Sequence, residues 1–356
     1  MDEGDHAVLE AWRERIAAAR RGGSSLRLRG AGTKDFYGEE LNGDILHLGS
    51  WRGIIDYEPS ELVISARCGT PLSEVEAALA AHEQFLAFEP PAFGGDPTLG
   101  GIIAAGLSGP RRMFAGAARD FVLGARLLTA QGDLLRFGGA VMKNVAGFDV
   151  SRLLCGSLGI LGILTEVSLK VLPRPRLEET RRLELSAGQA VTAFNRWQGL
   201  PLPLSGAAWW QGTAWVRLSG ATAAVRAARA QIGGDAVPPL DAERFWSALR
   251  HYQLPTHAAA SVWRVSLAQA APRIDVPAEP LIDWGGALRW YANVPPEIDM
   301  RERARAVQGT ALHWRGAPPG KRFPPLPAAI ASLHRRLKER FDPAGVFNRG
   351  RLIAGV

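Results

Sequence analysis

The chain has 356 residues, of which 47% are hydrophobic and 22% are charged. This length exceeds the usual size of one domain, so we expect a large domain and a smaller one with ample core. The longest apolar run, residues 153–164, contains three glycines and is far shorter than the ~20 residues of a membrane span. Because residues 1–10 are too acidic for a signal or transit peptide, we expect a soluble, intracellular protein.

The formal net charge of +7 is concentrated near the C-terminus, where residues 301–356 contain 12 Lys or Arg and 3 Asp or Glu. The first 300 residues contain the other 30 basic and 32 acidic residues, a balance of −2. A local basic surface suits solvent, an acidic partner or an anionic membrane surface. Nucleic acid is not an expected partner, because the sequence has no zinc finger, RNP motif or aromatic and basic stripe.

The two cysteines, Cys68 and Cys155, form no CxxC pair and lie in apolar segments. We therefore predict that both are buried free thiols. An iron–sulfur cluster needs about four thiolates, so this chain cannot bind one by itself. If electrons leave this protein one at a time, another protein has to accept them.

The first half of the chain alternates short strands with glycine-rich turns. Apolar residues at helical spacing predict a helix over 7–21, and a second helix is expected after Thr70 and Pro71, with Thr70 as its N-cap. Small residues over 100–106 indicate backbone that packs closely against a flat surface. Strands are predicted over 26–28, 44–48, 61–66, 122–129, 133–137 and 164–171.

Pro173 and Pro175 mark a boundary, after which tryptophan and alanine become frequent. The elements that follow have a β-α-β-β-α order. Strands are predicted over 181–185, within 209–218, and over 261–267 and 287–291. Helices are predicted over 187–197, 221–232, 242–252, 300–307 and 326–341, and the last of these is basic and amphipathic.

Two glycine-rich stretches are the most informative motifs of the chain. Residues 29–34, Arg-Gly-Ala-Gly-Thr-Lys, predict a tight turn with free N–H groups next to cations, which suits a pyrophosphate. The second stretch runs from Lys143-Asn144 through Gly147-Phe148 to the glycines of 156–162. Because the two stretches are more than 100 residues apart, they predict one long dinucleotide lying across several loops. This indicates a flavin protein.

In their order and spacing, these motifs resemble the FAD-binding domain of the vanillyl-alcohol oxidase/p-cresol methylhydroxylase (PCMH) type. The resemblance rests on residues 29–33, 96–101, 147–159 and 165–167. Together with the final segment 341–352, the pattern is most similar to the FAD-binding subunits of glycolate oxidase (glycolate dehydrogenase) complexes. The likeness extends over nearly the whole chain.

The resemblance implies an α+β fold in three parts. These are a two-subdomain PCMH-type FAD-binding domain over 1–174, a smaller ferredoxin-like α+β cap domain over 175–325, and a C-terminal helix and tail over 326–356 that return to the FAD domain. Relatives with covalent flavin often have a histidine in the first glycine turn, where this chain has Thr33-Lys34, so the FAD is expected to be non-covalent. The residues that the resemblance assigns to the cofactor are Arg29, Gly30, Ala31, Gly32, Thr33, Lys34, Pro97, Thr98, Leu99, Gly100, Gly101, Ser108, Gly109, Gly156, Gly159, Gly162, Glu166 and Val167.

The implied function is that of the FAD-binding subunit of a multi-subunit glycolate dehydrogenase, or of one acting on D-lactate or another 2-hydroxy acid. The implied partners are a larger FAD-containing catalytic subunit and an iron–sulfur subunit. The implied location is the cytoplasm, or the inner face of the membrane through the complex. We also expect Arg335, Arg336, Lys338 and Arg340 to help bind an acidic partner.

No catalytic or metal-binding residue is assigned. Larger 2-hydroxy-acid dehydrogenases with a similar FAD domain contain a His-x-Gly-Asp-Gly-Asn-x-His segment, which this chain lacks. His251, His257 and His313 fall in the cap and are interpreted as structural, with a place facing the flavin as the other reading. Two alternative functions stay open: a stand-alone FAD-dependent alcohol or sugar oxidoreductase, and a non-catalytic flavin-binding scaffold.

Overall fold

The N-terminal part of the chain combines short strands with helices in the computed structural model, which describes residues 3–139, 149–318 and 320–353. The strands are β1 (Leu26–Arg29), β2 (Asp44–His47), β3 (Ile54–Glu58), β4 (Val63–Arg67), β5 (Gln84–Phe85), β6 (Val122–Leu128), β7 (Leu134–Gly138), β8 (Ile163–Lys170) and β9 (Leu172–Pro173). The helices are α1 (Glu3–Gly22), α2 (Leu72–Ala80), α3 (Leu99–Ala105), α4 (Arg112–Ala115) and α5 (Val150–Leu153), with a 3₁₀ helix at Ala118–Phe121.

Two sheets organise this part. Strands β3, β4, β8, β6 and β7 form, in this order, an antiparallel five-stranded sheet, and β1 pairs with β2 in a parallel sheet. The predicted first helix is confirmed, because the buried Leu9, Trp12 and Ile16 lie on one face of α1. The predicted hairpin of β6 and β7 is also confirmed.

The start of α2 corrects one prediction. Its N-cap is Pro71, whose extended backbone precedes Leu72, and Thr70 is not the capping residue. The Thr70 hydroxyl instead accepts a hydrogen bond from the Gly53 N–H at 2.8 Å and donates one to the Arg67 carbonyl at 2.7 Å. Thr70 is therefore used to join two loops.

The cap is built on a single eight-stranded sheet. Its strands are β10 (Leu177–Glu184), β11 (Leu204–Trp210), β12 (Thr213–Gly220), β13 (Asp235–Ala236), β14 (Val262–Ser266), β15 (Leu281–Asp283), β16 (Leu288–Ala292) and β17 (Thr310–Arg315). Its helices are α6 (Ala187–Gln198), α7 (Thr222–Ile232), α8 (Pro239–Arg250), α9 (Pro255–Ala258) and α10 (Met300–Ala306), with a 3₁₀ helix at Trp284–Gly286.

The order of these strands confirms the ferredoxin-like cap. The run β10-α6-β11-β12-α7-β13 has the sheet order β13-β10-β12-β11, a split β-α-β arrangement. The second half of the cap has the corresponding order β17-β14-β16-β15, and the two halves join where Trp209 of β11 pairs with Ile282 of β15. The cap thus contains the same strand order twice, which the sequence did not indicate.

The last helix, α11 (Ala328–Phe341), returns to the N-terminal part. Leu337 and Phe341 pack against the core beneath the five-stranded sheet, and Phe347 of the tail is fully buried beside Leu26. The domain limits 1–174, 175–325 and 326–356 stay a prediction. No helix within the described ranges has the length and apolarity required to cross a bilayer.

Candidate cofactor site

A cleft of about 850 Å³, including solvent at its mouth, opens beside the β1 turn. Its walls come mainly from the turn after β1, the first turns of α3, the loop before β8 and the C-terminal tail, with Leu48 and Cys68 from the ends of β2 and β4. Predicted site residues that line it are Arg29, Gly30, Ala31, Gly32, Thr33, Lys34, Pro97, Thr98, Gly100, Gly101, Gly159 and Gly162. Segments that are distant in sequence therefore meet around one space.

The turn after β1 is shaped by glycine. Gly32 has φ +77°, and a Cβ at this position would lie 2.5 Å from Nη2 of Arg29, which folds back over it. A Cβ at Gly30 would overlap the hydroxyl of Thr98. The turn thus brings bare backbone to the wall of the cleft, as a phosphate-binding turn requires.

The cations of this turn are of two kinds. Asp35 neutralises two arginines, because its Oδ2 lies 2.9 Å from Arg27 Nη2 and 2.9 Å from Arg29 Nε. Lys34 has no acidic partner among the described residues; its Nζ lies 3.3 Å from the Thr33 hydroxyl. Burial lowers the pKa of Lys34 to about 8. Lys34 is therefore the cation of this turn that is left to pair with a bound anion.

The floor of the cleft is the first turn of α3. The Thr98 hydroxyl accepts a hydrogen bond from Gly101 N–H at 3.3 Å and caps the helix. A Cβ at Gly100 would lie 2.7 Å from Cβ of Cys68, so only glycine allows α3 to pack this close to the end of β4. Burial, together with Glu166, raises the pKa of the Cys68 thiol, so Cys68 lines the cleft as a neutral thiol.

The loop before β8 is tied to the tail through Asn348. Its Nδ2 donates to the Leu158 carbonyl at 2.7 Å, and its Oδ1 accepts from the Leu28 N–H at 2.8 Å. Gly159 has φ +73°, and a Cβ there would lie 2.7 Å from Nδ2 of Asn348. Asn348 also lines the cleft. One amide thus fixes two walls relative to each other.

Arg351 ties the tail to the turn after β1, as Asn348 ties it to the loop before β8. Its guanidinium donates to the carbonyls of Glu39 at 2.8 Å, Asp35 at 2.8 Å and Lys34 at 3.1 Å. Arg351 is buried and lines the cleft, and burial lowers its pKa. Through Arg351, the tail therefore fixes the backbone position of Lys34.

Six predicted residues lie outside the lining of this cleft. Leu99 and Val167 are buried in the core. Glu166 pairs with Arg126 at 3.2 Å. The remaining three residues make hydrogen bonds within the protein. Ser108 Oγ accepts from the Ala118 N–H, and the Gly109 carbonyl accepts from Trp284 Nε1. The Gly156 N–H donates to the Ile103 carbonyl. Their contact with a cofactor stays a prediction. Lys143, Asn144, Gly147 and Phe148 lie outside the described residues.

Sequence reasoning missed several lining residues, chiefly Asp35, Tyr37, Cys68, Asn348 and Arg351. Asp35 directly follows the recognised turn, and a carboxylate so close in sequence to Arg27, Arg29 and Lys34 was an available indication. Asn348 and Arg351 lie in the tail whose pattern was noted, but more than 300 residues separate them from the turn that they contact. No pattern in the sequence indicates which loops the tail contacts.

Aromatic side chains close the cleft on the side of the cap. Tyr37 lines the cleft and lies 5.3 Å from the ring of Trp314, while Phe93 stacks on Tyr252 at 5.2 Å. Burial raises the pKa values of both tyrosines, so their hydroxyls stay protonated at neutral pH. His257, edge-on to Tyr252, is buried, and burial lowers its pKa to about 3. The rings make this surrounding apolar, and its nearest charges are cations, with Arg264 over the ring of Trp290 and Lys34 over that of Phe93.

The cysteines and the other cap histidines have structural surroundings. Cys68 and Cys155 are free thiols, as predicted; Cys68 is buried, but Cys155 is only partly buried, so the prediction of full burial is wrong for Cys155. His251 Nδ1 accepts a hydrogen bond from Ala92 N–H at 3.1 Å, and His313 stacks on Trp263 with ring centroids 4.1 Å apart.

The residues of the cleft fit a dinucleotide. Its walls offer glycine backbone without side chains, the half-buried Lys34 has no anionic partner among the described residues, and Tyr37 lines the cleft where it meets the aromatic side chains of the cap. Phosphate oxygens suit the first two features, and a flat ring suits the third. The α+β fold, the ferredoxin-like cap and this cleft together define a flavoprotein of the PCMH type.

Comparison with known proteins agrees with this class. The family model described as an FAD binding domain matches residues 9–138. The glycolate oxidase subunit GlcE of Escherichia coli strain K12 is 45% identical over 346 residues, which cover 97% of both chains. Glycolate oxidase subunit GlcD of Bacillus subtilis strain 168 is 43% identical over 83 residues, 23% of this chain and 18% of that protein. A structure of alkyldihydroxyacetonephosphate synthase has a TM-score of 0.66 at 16% identity and covers 94% of this chain and 73% of its own.

The chain belongs to the family of the glycolate oxidase subunit GlcE. Its cofactor is FAD, and the chain is a subunit of an FAD-dependent oxidoreductase. The structural match to the synthase, at this level of identity, concerns the fold alone.

Proposed function

We propose that this chain is the FAD-binding subunit of a multi-subunit dehydrogenase that oxidises glycolate, D-lactate or a similar 2-hydroxy acid. In this proposal the electrons pass to an iron–sulfur partner. The observation that carries it is the glycine-walled cleft in which Lys34 lacks an anionic partner, in a chain that is 45% identical to a glycolate oxidase subunit over nearly its full length.

In this proposal, Lys34 offsets the charge of the pyrophosphate, while Arg29, paired with Asp35, holds the shape of the turn. Gly30, Gly32 and Gly100 present bare backbone to it; a Cβ at Gly30 or Gly100 would collide with Thr98 or Cys68, and Gly32 has a positive φ. When bound, FAD supplies a hydride acceptor that can release electrons one at a time. The protein's part is to hold the cofactor, to shield it with the aromatic side chains of the cap end and to fix its orientation.

The proposed partners are a larger FAD-containing catalytic subunit and an iron–sulfur subunit. The thiol count supports this division, because two cysteines cannot bind a cluster of the four-thiolate kind. The similarity to a GlcD subunit over 83 residues supports a common origin of the two flavin domains. We place the complex in the cytoplasm or at the inner face of the membrane, with membrane contact only through other subunits.

The FAD is proposed to be non-covalent. The first glycine turn, residues 29–34, has side chains at Arg29, Ala31, Thr33 and Lys34, and none of these is a histidine. Acid or heat denaturation should then release all flavin into solution. Flavin that migrates with the polypeptide on a denaturing gel would contradict the assignment.

The test of function compares the chain alone with the chain bound to its partner subunits. We expect the isolated full-length protein to be yellow and to stay oxidised when glycolate or D-lactate is added without oxygen. In the assembled complex, the same substrates should bleach the flavin absorbance.

Two results would contradict the proposal, and each would support one of the alternative functions. Rapid bleaching of the isolated chain by an alcohol, sugar or 2-hydroxy acid would identify a stand-alone oxidoreductase. A colourless protein that does not take up added FAD, but still assembles, would identify a scaffold subunit.

A further inference from the structure

One face of α11 is covered at its C-terminal end and bare at its N-terminal end. Ile330, Leu333, Leu337 and Phe341 share this face by their helical spacing. Leu337 and Phe341 pack against the core of the N-terminal part. Ile330 and Leu333 are 42% and 51% exposed. The helix therefore extends past the fold, and its apolar face continues without cover.

The charges of α11 divide into three groups. Lys338, expected from sequence to face a partner, is buried and paired with Asp342 at 2.6 Å, so that expectation is wrong for Lys338. Arg336 and Arg340, which are exposed and four residues apart, lie on one flank of the apolar face.

The third group lies on the opposite side of the helix from the apolar face, where Arg335 and Glu339 stand one turn apart. Their charges offset each other. The flank of Arg336 and Arg340 therefore carries the uncompensated positive charge next to the bare apolar face.

We propose that the exposed side of α11, formed by Ile330 and Leu333 of its first two turns and by Arg336 and Arg340 of the next two, is a docking surface for a partner subunit of the complex. The partner surface would offer an apolar groove for Ile330 and Leu333, and carboxylates at its rim for Arg336 and Arg340. Apolar residues at spacings of three and four are the pattern of a helix that lies in a groove. Opposite charges at the rim set orientation and association rate. The inference rests on the proposed function, because it requires a complex.

A protein groove fits these residues better than a lipid surface. Helices that lie in a membrane interface have an apolar face with tryptophan, phenylalanine or leucine and a strongly basic polar face. Here only two turns of the apolar face are uncovered, and Phe341 is already packed into the core. The side of α11 opposite the apolar face carries Glu339 next to Arg335, so it is not the basic face that binds anionic lipid.

The experiment uses the full-length chain with the partner subunits that copurify with the wild-type protein. The stripe variant is Ile330→Glu with Leu333→Glu. The matched control is Leu200→Glu with Leu240→Glu, two leucines of the cap that are 44% and 57% exposed. Both variants place two carboxylates on an exposed surface, so folding and flavin content should equal those of the wild type.

We expect the stripe variant to bind the purified partner subunits at least about 50-fold more weakly, because binding would no longer bury two aliphatic side chains. The control should bind as the wild type does. A third variant, Arg336→Glu with Arg340→Glu, should weaken binding more at low than at high ionic strength. Full flavin content in all variants shows that the cofactor site is intact.

Several results would overturn the inference. Unchanged affinity of the stripe variant for every subunit does so directly and leaves the proposed function in place. The same holds if the variant loses only self-association in gel filtration, or only binding to vesicles of phosphatidylglycerol and phosphatidylcholine. If the wild-type chain contains FAD but binds no subunit, the inference and the proposed complex both fail.

Discussion

Lys338 and Asp342 form a buried ion pair, 2.6 Å long and one helical turn apart, at the end of α11. Lys338 Nζ also donates to the carbonyls of Ile160 at 2.7 Å and Phe347 at 2.8 Å. Asp342 in turn accepts hydrogen bonds from the N–H groups of Val346 and Phe347. The pair therefore joins the last helix, the tail and the glycine loop that lines the cleft.

Removal of Lys338 should destabilise the protein strongly. In Lys338→Ala the carboxylate of Asp342 stays buried without its cation, and breaking a buried pair in this way costs about 3–5 kcal/mol. Urea denaturation should show this loss of unfolding free energy. Arg335→Ala, which removes an exposed cation from the same helix, is the control and should change stability by less than about 0.5 kcal/mol. Equal stability of the two variants would mean that the pair contributes little.

Gly32→Asp should abolish FAD retention. The new Cβ would lie 2.5 Å from Arg29 Nη2, the positive φ would cost about 1 kcal/mol, and a carboxylate would face the phosphates. Flavin absorbance per folded protein is the measurement. Gly212→Asp is the control, because Gly212 has φ +80° and no atom within 4 Å of its Cβ position. A Gly32→Asp protein that purifies with full flavin would show that the phosphate lies elsewhere.

The affinity for FAD should depend on pH through Lys34. Burial lowers its pKa to about 8, and only the protonated amine attracts phosphate. Because the free protein loses this proton as the pH rises from 7 to 9, the affinity should fall several-fold over that range. The measurement is titration of apoprotein with FAD at each pH. In Lys34→Arg the cation persists, so the fall should disappear; an equal fall in both proteins would exclude Lys34 as its cause.

Asp283 should make stability decrease as the pH rises. Burial raises its pKa to about 7, above the ~3.9 of an unfolded aspartate. The folded state thus retains a proton that the unfolded state loses, so this contribution is complete below about pH 4 and lost by about pH 7. Asp283→Asn keeps the acceptor for the Trp284 N–H, which lies 2.7 Å from Asp283 Oδ1. Its unfolding free energy should exceed that of the wild type at pH 8, and the difference should shrink or reverse at pH 5.

Local patterns in the sequence were sufficient to predict most elements and the tight glycine turn after β1. The helical spacing of Leu9, Trp12 and Ile16 predicts α1, and the residues 29–34 predict a tight turn because Gly32 alone tolerates its positive φ. The β-α-β-β-α order predicts the first half of the cap. These features depend on neighbours within a few positions, which is why a single sequence reveals them.

Contacts between distant segments were decided by the tertiary structure alone. The pairing of Asn348 with Leu28 and Leu158, and of Arg351 with the β1 turn, depends on where α11 leaves the tail. The four cations of α11 are alike in the sequence, but packing buries Lys338 and leaves the arginines in solvent. Local propensity carries no information on such contacts, because the energy of each one depends on which surface the folded chain brings to it.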